Sequence, residues 1–210
     1  MSGSALIVED HPLYRDALRN LLEPLFGATG VSVANTAEEG LQLARTLADL
    51  RVILLDPGLP RMKGGEAISA FYRAFPQALI IAVSASDDRR EVAAALRAGA
   101  LVFVSKAVPV TVLSGVVADA MAGRVQAVRW ITPSGDQPVL EDGLPVLPPR
   151  QREVLSLLCQ GHSNKEIGLR LNLAEITVKM HVSSIFRALQ VASRTQAVLA
   201  ARRLGLYAAE

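Results

Sequence analysis

The chain has 210 residues, half of them hydrophobic, which suits one large domain or two ordinary ones with a real core. No apolar run reaches the roughly 18 residues that span a bilayer, and the start Met1-Ser2-Gly3-Ser4 lacks the basic and apolar regions of a secretory signal. The formal charge of +2 hides an asymmetry: residues 1–125 carry 12 basic and 13 acidic side chains, 126–148 carry 1 and 3, and 149–210 carry 9 and 4, so the basic excess and a polyanionic partner are expected at the end of the chain.

In chain order, Ala5-Leu6-Ile7-Val8 reads as a buried strand ending at Glu9-Asp10. Pro12 then opens a helix with the stripe Leu18, Leu21, Leu22 and Leu25, since a proline in the first turn forfeits no helical bond. Val31–Ala34 is a second strand. Thr36 and Glu39 have capping-box spacing for a helix continuing through Leu47 and Ala48. Val52-Ile53-Leu54-Leu55 is an unbroken apolar run that stops at Asp56 and the turn residues Pro57-Gly58. A helix with Ile68, Phe71 and Tyr72 ends before Pro76. The strand Leu79–Val83 ends at Ser84-Ala85-Ser86. A helix opened by Asp87-Asp88 stops at Gly99, and the strand Leu101–Val104 ends at Ser105-Lys106. The helix after Pro109 carries Leu113, Val116, Val117 and Ala120.

Five alternating strand-helix units imply a doubly wound, five-stranded parallel sheet with helices on both faces. Ligands bind such sheets beyond the carboxyl ends of the strands. Glu9, Asp10, Asp56, Ser84 and Lys106 all fall at those ends, on four different strands. A carboxylate nucleophile at Asp56 needs neighbours that neutralise phosphoryl oxygens. Lys106 supplies a cation, Ser84 a donor, and small Ala85 leaves access. Glu9, Asp10 and Asp56, with the backbone carbonyl at Gly58, could hold magnesium, which prefers oxygen ligands and waters. The three histidines have no metal-ligand spacing, so no zinc site is expected.

Residues 122–148 read as a linker, broken by Gly123, Pro133, Gly135, Pro138, Gly143, Pro145 and Pro148. Trp130-Ile131 and Val139-Leu140 are apolar anchors that could lay it against a domain. From Pro149 the pattern is helical. One helix bears Val154, Leu155, Leu157 and Leu158, with the single cysteine, Cys159, at its end; no internal disulfide is possible, and a reduced, cytoplasmic setting is expected. A second is capped by Ser163 with Glu166 in a capping box and bears Ile167 and Leu171. A third, Glu175–Gln190, buries Val178, Val182, Ile185, Phe186 and Leu189. Ser193 caps a fourth, whose apolar face (Ala197, Val198, Ala201) suits either a dimer contact or the core.

Residues 5–121 resemble a response-regulator receiver domain, through Glu9-Asp10, Asp56, Ser84, Phe103, Lys106 and the spacing of Asp56, Pro60 and Gly64. The blocks Leu147–Leu155, Gly161–Ile167, Thr177–Val182 and Ser193–Ala197 resemble the LuxR/NarL/FixJ-type helix-turn-helix. Together they resemble the NarL/FixJ class, and the expected organisation is receiver 1–121, linker 122–148 and a small all-α DNA-binding domain 149–210. The resemblance implies a flavodoxin-like receiver, phosphotransfer from a sensor histidine kinase to Asp56 with Mg2+, and inward movement of Ser84 and Phe103 when the phosphoryl group arrives. It also implies a homodimer reading double-stranded DNA, with Lys179, Met180 and Ser183 at base edges and Asn164, Lys165, Thr177 and Arg187 at phosphates.

The chain departs from the family pattern in places. Glu9 replaces a commoner Asp. Pro57 removes a backbone donor beside Asp56, and Ala107 replaces a common proline. Ala174 stands where a capping Ser or Thr is usual, which predicts a frayed start to the third helix. Two other readings compete: a DNA-binding regulator whose receiver is a phosphate-independent interaction module, and a phosphatase. The second usually needs an acid two residues past Asp56, where Gly58 stands.

Overall fold

The computed structural model describes residues 3–62, 65–122, 129–137, 140–141 and 144–207. Gly64, Gly123, Pro138, Val139 and Gly143, used above as pattern signals, lie outside these residues. The chain alternates β1 (Ser4–Val8), α1 (Pro12–Phe26), β2 (Val31–Ala34), α2 (Ala37–Ala44), β3 (Leu50–Leu55), α3 (Gly65–Ala74), β4 (Leu79–Ser84), α4 (Arg89–Ala98), β5 (Val102–Ser105) and α5 (Val110–Met121). Every pair among β1 to β5 is parallel, in the order β2-β1-β3-β4-β5. The unbroken apolar runs follow from this. Helices cover both faces, so alternate residues of β1, β3 and β4 enter two separate cores. Leu6, Val8, Ile53, Leu55, Ala82 and Phe103 pack with α2, α3 and α4. Ala5, Ile7, Leu54, Val83 and Val104 pack with α1 and α5. Each fully buried large side chain, such as Phe71 or Phe103, contributes roughly 1.5–3 kcal/mol relative to exposure.

The sheet does not stop at five strands. Residues expected to be irregular form β6 (Arg129–Thr132) and β7 (Gly135–Gln137), extending the order to seven strands. β6 runs parallel to β5 after the α5 crossover, and β7 returns antiparallel through a turn at Pro133-Ser134. The hairpin is closed by the Thr132 hydroxyl donating to the Gly135 carbonyl at 2.9 Å. Trp130 is buried among the α4-side core residues and Ile131 among the α5-side ones, so this pair of apolar anchors does lie against the first domain. β8 (Leu140–Glu141) and β9 (Leu144–Pro145) form a short antiparallel ribbon. Val146 is then buried in the receiver-side core, and its neighbour Leu147 in the helical core that follows.

Local chemistry differs from expectation in two further places. α2 ends at Ala44, short of Leu47 and Ala48. The Thr36 hydroxyl accepts from the Glu39 N–H at 3.1 Å, but the Glu39 carboxylate takes the Asn35 N–H instead of the Thr36 one. The cap is therefore one-sided. Gly99 ends α4 at φ +127°, and a Cβ there would stand 2.7 Å from the Tyr72 ring, so only glycine fits.

The last segment is four helices: α6 (Pro149–Cys159), α7 (Asn164–Leu171), α8 (Glu175–Ala188) and α9 (Arg194–Arg203). Ser163 and Glu166 form the full capping box on α7. Ser193 accepts from the Gln196 N–H at the head of α9. At Gly168 a Cβ would meet the Leu173 carbonyl oxygen at 2.7 Å, so the α7–α8 turn needs this glycine to close. Val178, Ile185 and Leu189 are buried with Val154, Leu158 and Ile167. Ala197 and Ala201 of that face of α9 are buried in the same core, with Val198 partly buried against it.

Candidate functional site

Strand ends β1, β3, β4 and β5 converge as their parallel register requires. Glu9 and Asp56 are 1% and 6% exposed. Between them lies the Lys106 ammonium, 2.7 Å from Glu9 Oε2, 2.9 Å from Glu9 Oε1 and 2.7 Å from Asp56 Oδ2. Burial alone would push the Lys106 amine down, but its bonds to Asp56 and Glu9 outweigh that and hold its pKa above the usual value. Tyr14 of α1 lays its ring against the same ammonium, 4.8 Å from centroid to Nζ. The Gly58 N–H donates to Asp56 Oδ1 at 2.7 Å, so the backbone donor that Pro57 cannot provide comes from one residue further on. The Ser84 hydroxyl, buried nearby, accepts from the Ser86 N–H at 3.1 Å. Asp56, Ser84, exposed Ala85 and Lys106 line an open cleft of about 720 Å³. Phe103 sits fully buried one strand away from Ala82.

The carboxylates are poised for a cation. Glu9, Asp10, His11 and Asp56 each place a ligand atom within 4.8 Å of the others. Glu9 Oε2 and Asp10 Oδ1 are buried and accept no hydrogen bond, although Lys106 and His11 lie in ion-pair range. A close cluster of carboxylate oxygens of this kind fits a hard divalent ion. His11 is a site residue that pattern reading did not find. Its Nδ1 lies 2.9 Å from Glu9 Oε1 and 3.0 Å from Asp10 Oδ1, and its place directly after the acidic pair was the available signal.

The second group of expected residues lies on the helical domain. Lys165, Lys179, Ser183 and Arg187 are exposed, and Asn164 is half-buried at the start of α7. Lys179 pairs with Glu175 at 3.1 Å on the same helix. Thr177 and Met180 are half-buried and face the first domain across a cleft of about 380 Å³ that Asp49, Leu50, Arg51, Leu79 and Met121 line from the other side. Arg194 has a role that sequence reading missed. Its Nη2 donates to the Leu158 carbonyl at 3.0 Å and the His162 carbonyl at 2.5 Å, adding a cationic donor at the carbonyl end of α6.

Ala174 opens α8 in extended geometry with no side-chain cap. Replacing it with serine is expected to stabilise the protein by about 1 kcal/mol and to slow amide exchange at residues 175–177. An unchanged urea midpoint in Ala174→Ser would contradict this.

This chain matches the family models for "response regulator receiver domain" over residues 5–118 and for "bacterial regulatory proteins, luxR family" over residues 145–201. It is 36% identical to the nitrate/nitrite response regulator protein NarP of Escherichia coli over 198 residues, covering 92% of each chain. It is 32% identical to the glycerol metabolism activator of Pseudomonas putida over 206 residues, covering 93% of each. Among solved structures, a CheY-like receiver domain from Methanospirillum hungatei superposes with a TM-score of 0.53 at 26% identity, covering 59% of this chain and 97% of that one. The RcsB response regulator of Salmonella typhimurium gives 0.52 at 22% identity, covering 98% and 100%, and so shares the fold. The chain belongs to the two-component response regulators of the NarL/FixJ type, transcription regulators with a receiver domain and a LuxR-type helix-turn-helix. Among the described residues no helix is long and apolar enough to cross a membrane.

Proposed function

We propose that Asp56 accepts a phosphoryl group from a sensor histidine kinase and that this modification controls DNA binding. The observation that carries the reading is the Lys106 ammonium held 2.7 Å from both Asp56 and Glu9 at the carboxyl edge of the sheet. An Asp56 carboxylate oxygen forms a bond to phosphorus as the donor's phosphorus–nitrogen bond breaks. Lys106 then pairs with the phosphoryl oxygens instead of the bare carboxylate, and Ser84 turns its hydroxyl from the Ser86 N–H to donate to the same group. Glu9, Asp10, Asp56 and the Gly58 carbonyl would hold Mg2+, which when bound offsets the negative charge of donor and acceptor. Incubation with acetyl phosphate and Mg2+ is expected to add one phosphoryl mass to the protein and none to Asp56→Asn. No mass gain in the wild-type protein would favour a receiver that acts as a phosphate-independent interaction module.

The downstream half of the reading is release of the recognition helix. Lys179, Met180 and Ser183 are assigned to base edges in the major groove, and Asn164, Lys165, Thr177 and Arg187 to phosphates. Thr177 and Met180 line one cleft with Asp49–Arg51, which supports an unmodified receiver that covers part of the reading surface. Arg150 of α6 also reaches the Pro76 carbonyl at 3.5 Å. The Tyr72 hydroxyl is pushed up to about 12 by burial and by the Glu153 carboxylate of the other domain. The modified protein binds as a homodimer on half-sites about one helical turn apart. The fragment 149–210 is expected to bind operator DNA at least about tenfold more tightly than unmodified full-length protein, a difference of roughly 1.4 kcal/mol. Equal affinities in a titration at fixed salt would end the covering hypothesis.

A further inference from the structure

We infer that Trp130 is a positioning residue: it seals the switch aromatic Phe103 in its inward place, and the linker strand β6 is what moves when Asp56 is modified. The inference rests on the phosphoryl reading of Asp56 and extends it to a residue in the segment joining the domains.

Register puts the parts on one face of three adjacent strands. Ala82 pairs with Phe103, and Phe103 pairs with Trp130. Ser84 is two residues beyond Ala82 on the same strand and so shares that face. Trp130 is 6% exposed and packs in the same core as Phe103, Val92, Ala93 and Leu96. Phe103 is already fully buried, so modification has no outward ring to bring in. If Ser84 turns toward the phosphoryl group, the space it leaves lies at the Phe103 end of this face. Phe103 settling into that space opens a gap beneath the indole, and a gap too small for water forfeits contacts on its lining.

Trp130 is fitted to answer such a gap. Its indole N–H is buried with no acceptor among the described residues, which weakens the docked position. The Arg89 guanidinium, at the start of α4, lies over its ring 5.6 Å from the centroid. β6 is a short strand paired to β5 on one side and to β7 on the other. From it the chain runs through β8 and β9 to Val146 and Leu147, the residues rooted in the two domain cores. A shift of β6 therefore reaches the DNA-binding domain along the backbone itself.

The chain has a single tryptophan, so the wild-type protein reports on itself. Full-length protein is treated with acetyl phosphate and Mg2+, with mass, emission and amide exchange followed together. The expected result is a mass gain, a red shift of the emission, at least a twofold rise in quenching by acrylamide, and faster exchange of the β6 amides; Asp56→Asn shows none of these. A mass gain with unchanged emission overturns the inference, as does an emission change with β6 exchange unaltered, which would reflect movement elsewhere. Absence of any mass gain overturns the Asp56 reading, and this inference with it.

Discussion

Lys106→Met is expected to destabilise the protein by about 3 kcal/mol in metal-free buffer. The physical reason is the pair it leaves behind. Glu9 and Asp56 are buried, and the ammonium at 2.7 Å is their shared cation. Methionine fills much of the volume of lysine and restores none of the charge. Two desolvated carboxylates then face each other, with His11 and the Gly58 N–H as neighbours that replace none of the lost charge in full. Millimolar Mg2+ is expected to recover a large part of the loss, because a divalent ion among Glu9, Asp10 and Asp56 supplies the missing positive charge. Urea unfolding in EDTA and in Mg2+ measures both effects. A midpoint in EDTA equal to that of the wild type would show that the carboxylates do not depend on the amine.

The second large effect is a loss of stability in mild acid, centred on His181. This side chain of α8 is buried, and its pKa is lowered from 6.5 to about 4, by burial first and by the nearby Arg150 guanidinium second. Its folded pKa lies below its unfolded one, so the unfolded chain takes up the proton first. The neutral form favours folding fully above about pH 6.5, and that contribution drains away as the pH falls toward 4. Between pH 7 and 5 the expected loss is about 2 kcal/mol. His181→Gln removes the titration, so its own fall in stability over this interval should be smaller by that amount. Denaturation midpoints at the two pH values decide it, and parallel pH profiles for wild type and variant would refute the assignment.

Much of the receiver is legible because its determinants are short-range. Each buried strand is a continuous apolar stretch ending in a chemically distinctive residue, and parallel pairing then forces Glu9, Asp56, Ser84 and Lys106 to one edge. The helical domain is legible for a similar reason: Ser163 and Ser193 are real caps, and the stripe Val178, Ile185, Leu189 is the real core face. What escaped depends on distance. Pro133 and Gly135 look like breakers of regular structure, yet here they bound the turn of a hairpin whose strand β6 finds its partner, β5, across a whole helix. Arg194 donates to the carbonyl end of a helix 36 residues earlier in the chain, a pairing no local pattern encodes. The Glu39 carboxylate prefers the Asn35 N–H to the Thr36 one, and spacing alone cannot rank two adjacent donors.

The junction between Val146 and Leu147 has a mechanical meaning. Consecutive residues are rooted in separate cores, so at this point the two modules share no slack. They cannot swing apart like beads on a string; one core must give up a side chain first. Pulling out a valine costs roughly 1.5–3 kcal/mol, a toll within reach of the one to three charge-assisted bonds that a single newly attached dianion can form.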